Sequence, residues 1–137
     1  MKIVIDTNVL IAGLLKKSIV REIIFSKKLK FFIPEQALVE IKKYKKYLCK
    51  KSGFDEETFY FILNSLLENI NLVSNFEIKK FMDKSKEIMR NIDIDDSSFI
   101  ATCFATKAKG IWSFDKHFNK QKEVRVFSIN EILGYLK

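Results

Sequence analysis

The 137-residue chain has one proline, four glycines, one tryptophan, one histidine and two cysteines. No stretch is rich in Gly, Pro or Ser, and none is repetitive, so no linker divides the chain and one domain over 1–137 is the expected organisation. No apolar run approaches the roughly 20 residues that span a bilayer. Asp6 interrupts the N-terminal apolar run before a signal-peptide core can form. A soluble, cytoplasmic protein without a membrane partner is therefore expected. Cys49 and Cys103 lack metal-ligand spacing and read as two reduced thiols.

What is abundant is positive charge and phenylalanine. Lys plus Arg total 25 against 17 Asp plus Glu, a formal net charge of +8, and 13 residues are Phe. Such an excess favours an anionic partner, with nucleic acid first and an acidic protein or membrane surface next. Lysine-rich composition can equally serve solubility, so charge alone decides nothing.

The apolar pattern predicts strands at 2–6, 31–33, 70–74, 111–114 and 124–128. Between them it predicts helices at 8–15, 18–28, 35–50, 56–69, 76–90, 95–109 and 129–136. Asp55 is expected to cap the fourth helix and Gly110 to end the helix before the fourth strand. Strands alternating with helices imply an α/β fold in three layers, a central parallel sheet of four to five strands between two helical layers.

In such sheets ligands bind beyond the carboxyl ends of the strands. Asp6 closes the first strand and Asp115 follows the fourth. Glu40 lies about one and a half turns into the helix after the second strand, within about 10 Å of that edge at 1.5 Å per residue. Asp96 opens the helix that leads through a short connection into the fourth strand, which also puts it at the carboxyl edge. Each acid alone has an ordinary explanation: Asp6 and Asp96 as helix caps, Asp115 as a turn residue, Glu40 as a solvated position. Four on one rim repel each other, and a hard divalent cation removes the conflict. Oxygen donors suit Mg²⁺ or Mn²⁺; a single His117 and unpaired cysteines argue against zinc. The implied chemistry is metal-assisted attack of water on a phosphodiester.

The segment KKYKKYLCKK at 42–51 has six lysines and no acid. On a helix it places Lys43, Tyr47 and Lys51 at the margin where Glu40 sits, a surface that suits a polyanion.

IVIDTNVLI at the start, LVEI around Glu40, DIDDSSFIATCFA at 93–105 and IWSFDKHF at 111–118 together resemble the PIN domain, in the family's order and over the whole chain. The resemblance implies a metal site built from Asp6, Glu40, Asp96 and Asp115, with Asn8 and Ser113 in supporting positions. Asp95 and Asp93 stand close enough to replace Asp96, which is preferred because Ile100-Ala101 follow it at the family's spacing; Asp93 is the better cap. His117 stands where many members carry another acid, and reads as an exposed rim residue. Similar proteins are often metal-dependent endoribonucleases that leave a 5′-phosphate and a 3′-hydroxyl. Many small ones resemble VapC-type toxins, usually dimeric and held by an antitoxin. The alternative is a catalytically silent RNA-binding or protein-interaction module on the same fold. A phosphotransfer receiver needs an acid after the third strand, where Asn75-Phe76-Glu77 stand. A haloacid-dehalogenase-type phosphatase needs an acid at position 8, where Asn8 stands.

Overall fold

A computed structural model describes residues 1–137. Five strands, β1 (Lys2–Ile5), β2 (Lys30–Pro34), β3 (Ile70–Val73), β4 (Ile111–Trp112) and β5 (Val126–Phe127), form one parallel sheet in the order β3-β2-β1-β4-β5. Ile3, Val4 and Ile5 are fully buried, as a central parallel strand covered on both faces requires. In register, Ile3 faces Phe31 across β1 and β2, while Ile5 faces Trp112 across β1 and β4. The strand order reverses direction at β1, so the crevice between the carboxyl ends of β1 and β4 is where such a sheet opens to a ligand.

One helical layer holds α1 (Thr7–Leu15), α2 (Ile19–Phe25), α3 (Glu35–Lys43), α4 (Lys45–Ser52) and α5 (Glu56–Leu67). Packed against the other face is α8 (Ser97–Thr106), with α6 (Asn75–Ile78) and α7 (Met82–Met89) against it. A final helix, α9 (Ile129–Gly134), follows β5 and buries Ile132. A cluster of 29 buried residues fills the space between, with Phe31, Phe59, Phe99, Phe118, Phe127 and Trp112 as its largest members.

Local chemistry sets the ends of these elements. Asp55 accepts from Thr58 N–H at 2.7 Å and caps α5 as expected. Ser74 and Ser128 each form a reciprocal capping box, with Glu77 and Glu131. Three expectations are corrected. The helix expected over 35–50 is two helices, broken at Tyr44, whose φ of −98° and ψ of 13° leave the helical region. The helix expected over 76–90 is split by a tight 3₁₀ turn at Lys79–Phe81. Gly110 does not end α8: Lys107 does, in the left-handed conformation at φ 58°. Gly110 serves close packing instead, because a Cβ there would lie 2.2 Å from the carbonyl oxygen of Arg125.

Candidate active site

Asp6, Glu40, Asp96 and Asp115 line one cleft of ≈ 180 Å³ at the carboxyl edge, together with Thr7, Asn8, Ile11, Tyr44, Phe99 and Phe118. The fold brings them there from four places: the end of β1, the second turn of α3, the start of α8 and the residue that opens the Lys116–Lys120 turn after β4.

Asp6 is the most enclosed of the four, at 4% exposure. Its Oδ1 accepts from Val9 N–H at 2.8 Å, so it caps α1. Its Oδ2 accepts from the Ser113 hydroxyl. Ser113 Oγ in turn accepts from Asp115 N–H at 2.8 Å, and Asp115 Oδ1 accepts from His117 N–H at 2.9 Å. Ser113 thus couples the acid after β1 to the backbone of the acid after β4. Asp96 occupies the cap position of α8 but makes no side-chain cap bond, so its carboxyl group is free to face the cleft. Asp93 caps the 3₁₀ turn Ile94–Asp96 just before it, accepting from Asp95 N–H at 3.1 Å.

The electrostatics record the crowding. Burial pushes the Asp6 carboxyl up, the hydrogen bonds from Ser113 and Val9 oppose the rise, and the Asp115 charge adds to it. Burial also pushes Glu40 up; Thr7 and Gln36 oppose it, while Asp95 and Asp93 add to it. Asp96 moves furthest, from 3.8 to about 7, through burial first and then the charges of Asp93, Asp115, Glu40 and Asp6. No lysine or arginine pairs with any of the four acids. The buried Thr7 hydroxyl lacks a well-formed hydrogen-bond partner at the same place. Oxygen donors and negative charge without a lysine or arginine partner fit a hard divalent cation.

His117 is less free than a rim residue. Its Nδ1 lies 3.3 Å from Asp115 Oδ1 and 3.8 Å from Asp93 Oδ2, without hydrogen-bond geometry to either. Asp93, Asp96 and His117 have ligand atoms within 4.8 Å of one another. Sequence reasoning weighed Asp93 as a cap or as a replacement for Asp96 and missed its grouping with His117. Sequence reasoning also missed Tyr44, the aromatic that lines the cleft. Of the residues expected to meet nucleic acid, Lys43 has its Nζ 5.5 Å from the Tyr44 ring centroid, and Tyr47 is exposed. Lys51 is not at the cleft: it lines a separate depression with Ala12, Leu15, Lys16 and Ser52, because the break at Tyr44 redirects α4.

Among protein families, the model of the PIN domain matches residues 4–131. A comparison with curated proteins gives no match.

Proposed function

The chain belongs to the PIN domain family, a family of nucleases, and from that premise and the acidic cleft we propose that it is a Mg²⁺- or Mn²⁺-dependent endoribonuclease. The observation that carries the reading is the convergence of Asp6, Glu40, Asp96 and Asp115 on one cleft with no lysine or arginine partner. These four would hold the cation, with Asn8 and Ser113 supporting them. When bound, the ion supplies Lewis-acid activation of water and neutralises charge on the scissile phosphate. The chain's own part is positional. Ser113 and Val9 N–H fix both oxygens of Asp6, and the same Ser113 oxygen anchors Asp115 N–H. Ile11, Phe99 and Phe118 wall the cleft with apolar surface, which limits water and strengthens the field of the carboxylates. In the hydrolysis, the water oxygen joins phosphorus and the 3′ oxygen leaves, giving a 5′-phosphate and a 3′-hydroxyl.

The role that fits best is the cytoplasmic toxin of a toxin–antitoxin pair, of VapC type, acting as a homodimer and restrained by a protein antitoxin. Support for it comes from the chain's motif resemblance and the family match. No helix is long and apolar enough to cross a membrane. Lys43 and Tyr47 are proposed to touch RNA leaving the cleft, whereas Lys51, in its separate depression, stands off that path.

The test is RNA cleavage by wild type and Asp6→Asn, with Mg²⁺, with Mn²⁺ and with chelator. Wild type should cleave only with metal. A folded Asp6→Asn protein that cleaves at the wild-type rate would remove the assignment. Recovery of a small protein encoded beside this gene, bound to the chain, would test the toxin role.

A further inference from the structure

The acidic cleft is small. At ≈ 180 Å³ it falls below the 300–1,000 Å³ usual for a site that encloses a ligand. It can receive a phosphate and its ions, so the bases of a substrate must rest elsewhere. On the α6–α8 face lies a groove of ≈ 820 Å³ whose floor includes Phe76, Phe81 and Phe104 and whose rim includes Lys79, Lys80 and Lys107. Phe76 is 86% exposed, the most exposed large apolar side chain of the protein. Phe81 and Phe104 have ring centroids 6.2 Å apart. Lys80 Nζ lies 5.2 Å from the Phe81 centroid, and Lys84 Nζ stands 4.5 Å over Phe104. None of these lysines is in a salt bridge. The one acid of the groove, Glu77, is engaged, accepting from Ser74 N–H at 2.7 Å.

A second depression, of ≈ 420 Å³, adjoins this groove. It shares Phe76 and Lys79 with the groove. It also includes Gln36, whose side chain holds down the pKa of Glu40, and Ser98, two residues beyond Asp96. Ser98 is 1% exposed and its hydroxyl has no hydrogen-bond partner, an unmet polar group in the wall of the path.

From these features we infer that the groove of Phe76, Phe81 and Phe104 with Lys79, Lys80 and Lys107 is an exosite for single-stranded RNA. In this arrangement one strand runs from the acidic cleft past Ser98 into the groove. The inference rests on the ribonuclease reading above. Unpaired bases stack on the phenylalanines and the ammonium groups meet the phosphates, the combination by which single strands are held without sequence readout. With these lysines outside any salt bridge and Phe76 open for stacking, the groove offers RNA both phosphate and base contacts, whereas an acidic protein segment would use only the charges.

The probe is a fluorescent single-stranded RNA of about 12 nucleotides, a length within the range that such surfaces hold, beside one of about 3 nucleotides. Affinity is measured by anisotropy across a salt series in an Asp6→Asn background. Phe76→Ala, at a solvent-exposed position, should weaken binding of the longer RNA by about 5- to 100-fold and leave the shorter unaffected. Lys79→Ala with Lys80→Ala should flatten the log–log salt slope by about 1.4, at about 0.7 per phosphate. Lys107→Gly removes a cation while relaxing a left-handed backbone, so it should raise Tm and weaken RNA binding together. Unchanged affinity and slope in all three, with wild type still cleaving RNA, would overturn the exosite and leave the ribonuclease reading standing. Wild type that neither binds nor cleaves RNA would overturn both. Loss of polyglutamate binding in these variants with RNA binding intact would overturn the exosite in favour of a protein-docking face.

Discussion

The acidic cleft and the lysine surface of this protein hold opposite charges in opposite ways. The cleft gathers four carboxylates from four elements with no lysine or arginine to pair them, and burial together with the neighbouring acids pushes the Asp96 carboxyl up. The lysines are spread over the exterior, and salt bridges to carboxylates engage only Lys45, Arg90 and Arg125 among the 25 basic residues. Spread charge in water costs the fold little, whereas gathered and half-buried charge is retained against a cost. Changes in the cleft should therefore act in large steps and leave a signature in stability. Changes on the lysine surface should act in small, salt-sensitive steps.

The largest step belongs to the acids proposed to hold the cation. Loss of groups that merely orient a metal ligand costs 10- to 100-fold. Asp6→Asn removes the charge of a proposed ligand, so cleavage should fall by more than about 100-fold, with the far-ultraviolet circular dichroism unchanged. A loss of only a few-fold would place Asp6 among ordinary helix caps and erase the contrast between the two regions.

The stability signature comes next. Asp96 ionises near 7 in the fold against 3.8 ordinarily, so between these values the folded chain binds more protons than the unfolded one. Stability in chelator should then fall as pH rises from about 4 to about 7 and level off above. Asp96→Asn should flatten that fall and raise Tm at pH 7.5. Added Mn²⁺ should restore wild-type Tm and bind more tightly as pH rises through 7, because binding displaces the Asp96 proton. Thermal melts with and without Mn²⁺ read all three. A wild-type Tm that climbs from pH 5 to 7.5 in chelator would contradict the crowding of the acids.

Ser113→Ala should act on both scales. It leaves Asp6 Oδ2 and Asp115 N–H without their shared partner, at about 1–3 kcal/mol of stability. Cleavage should fall by about 10- to 100-fold, as for other groups that orient ligands. Ser113→Thr keeps the hydroxyl and should recover much of both.

How far the sequence carried the reading differs between the two regions for the same reason. The parallel sheet and the rim of acids were legible because apolar runs ending in an acid report both a strand and its carboxyl edge, as at Ile5-Asp6. The cap at Asp55 is local and equally readable. The break at Tyr44 was not legible: no proline or glycine marks it, and Ala37, Ile41, Tyr44 and Leu48 keep one continuous helical period. The fold resolves it by burying Ala37, Ile41 and Leu48 while turning Tyr44, half exposed, to the cleft. Lys107 was hidden too, because a lysine rarely takes the left-handed position that Gly110 three residues later seemed to offer. The Asp93–Asp96–His117 grouping depends on where two loops meet, which no local pattern reports.

That same break decides the smallest prediction. As one helix, 35–50 would carry Lys43 and Lys51 along a single margin beside Glu40, and their double replacement would flatten the salt slope of RNA binding by about 1.4. As two helices, Lys43 stays against Tyr44 at the cleft while Lys51 faces Ala12, Leu15 and Lys16. Lys43→Ala should therefore flatten the slope by about 0.7, the share of one phosphate on a single strand, and Lys51→Ala should leave it nearly unchanged. Tyr44→Ala separates the contribution of the ring from that of the charge: it should weaken RNA binding at every salt concentration without altering the slope. Anisotropy titrations in the Asp6→Asn background measure all of these without consuming the substrate. Equal effects of Lys43→Ala and Lys51→Ala would mean that RNA follows α4 as well as α3, which would make the lysine helix pair, rather than the cleft mouth alone, part of the substrate path.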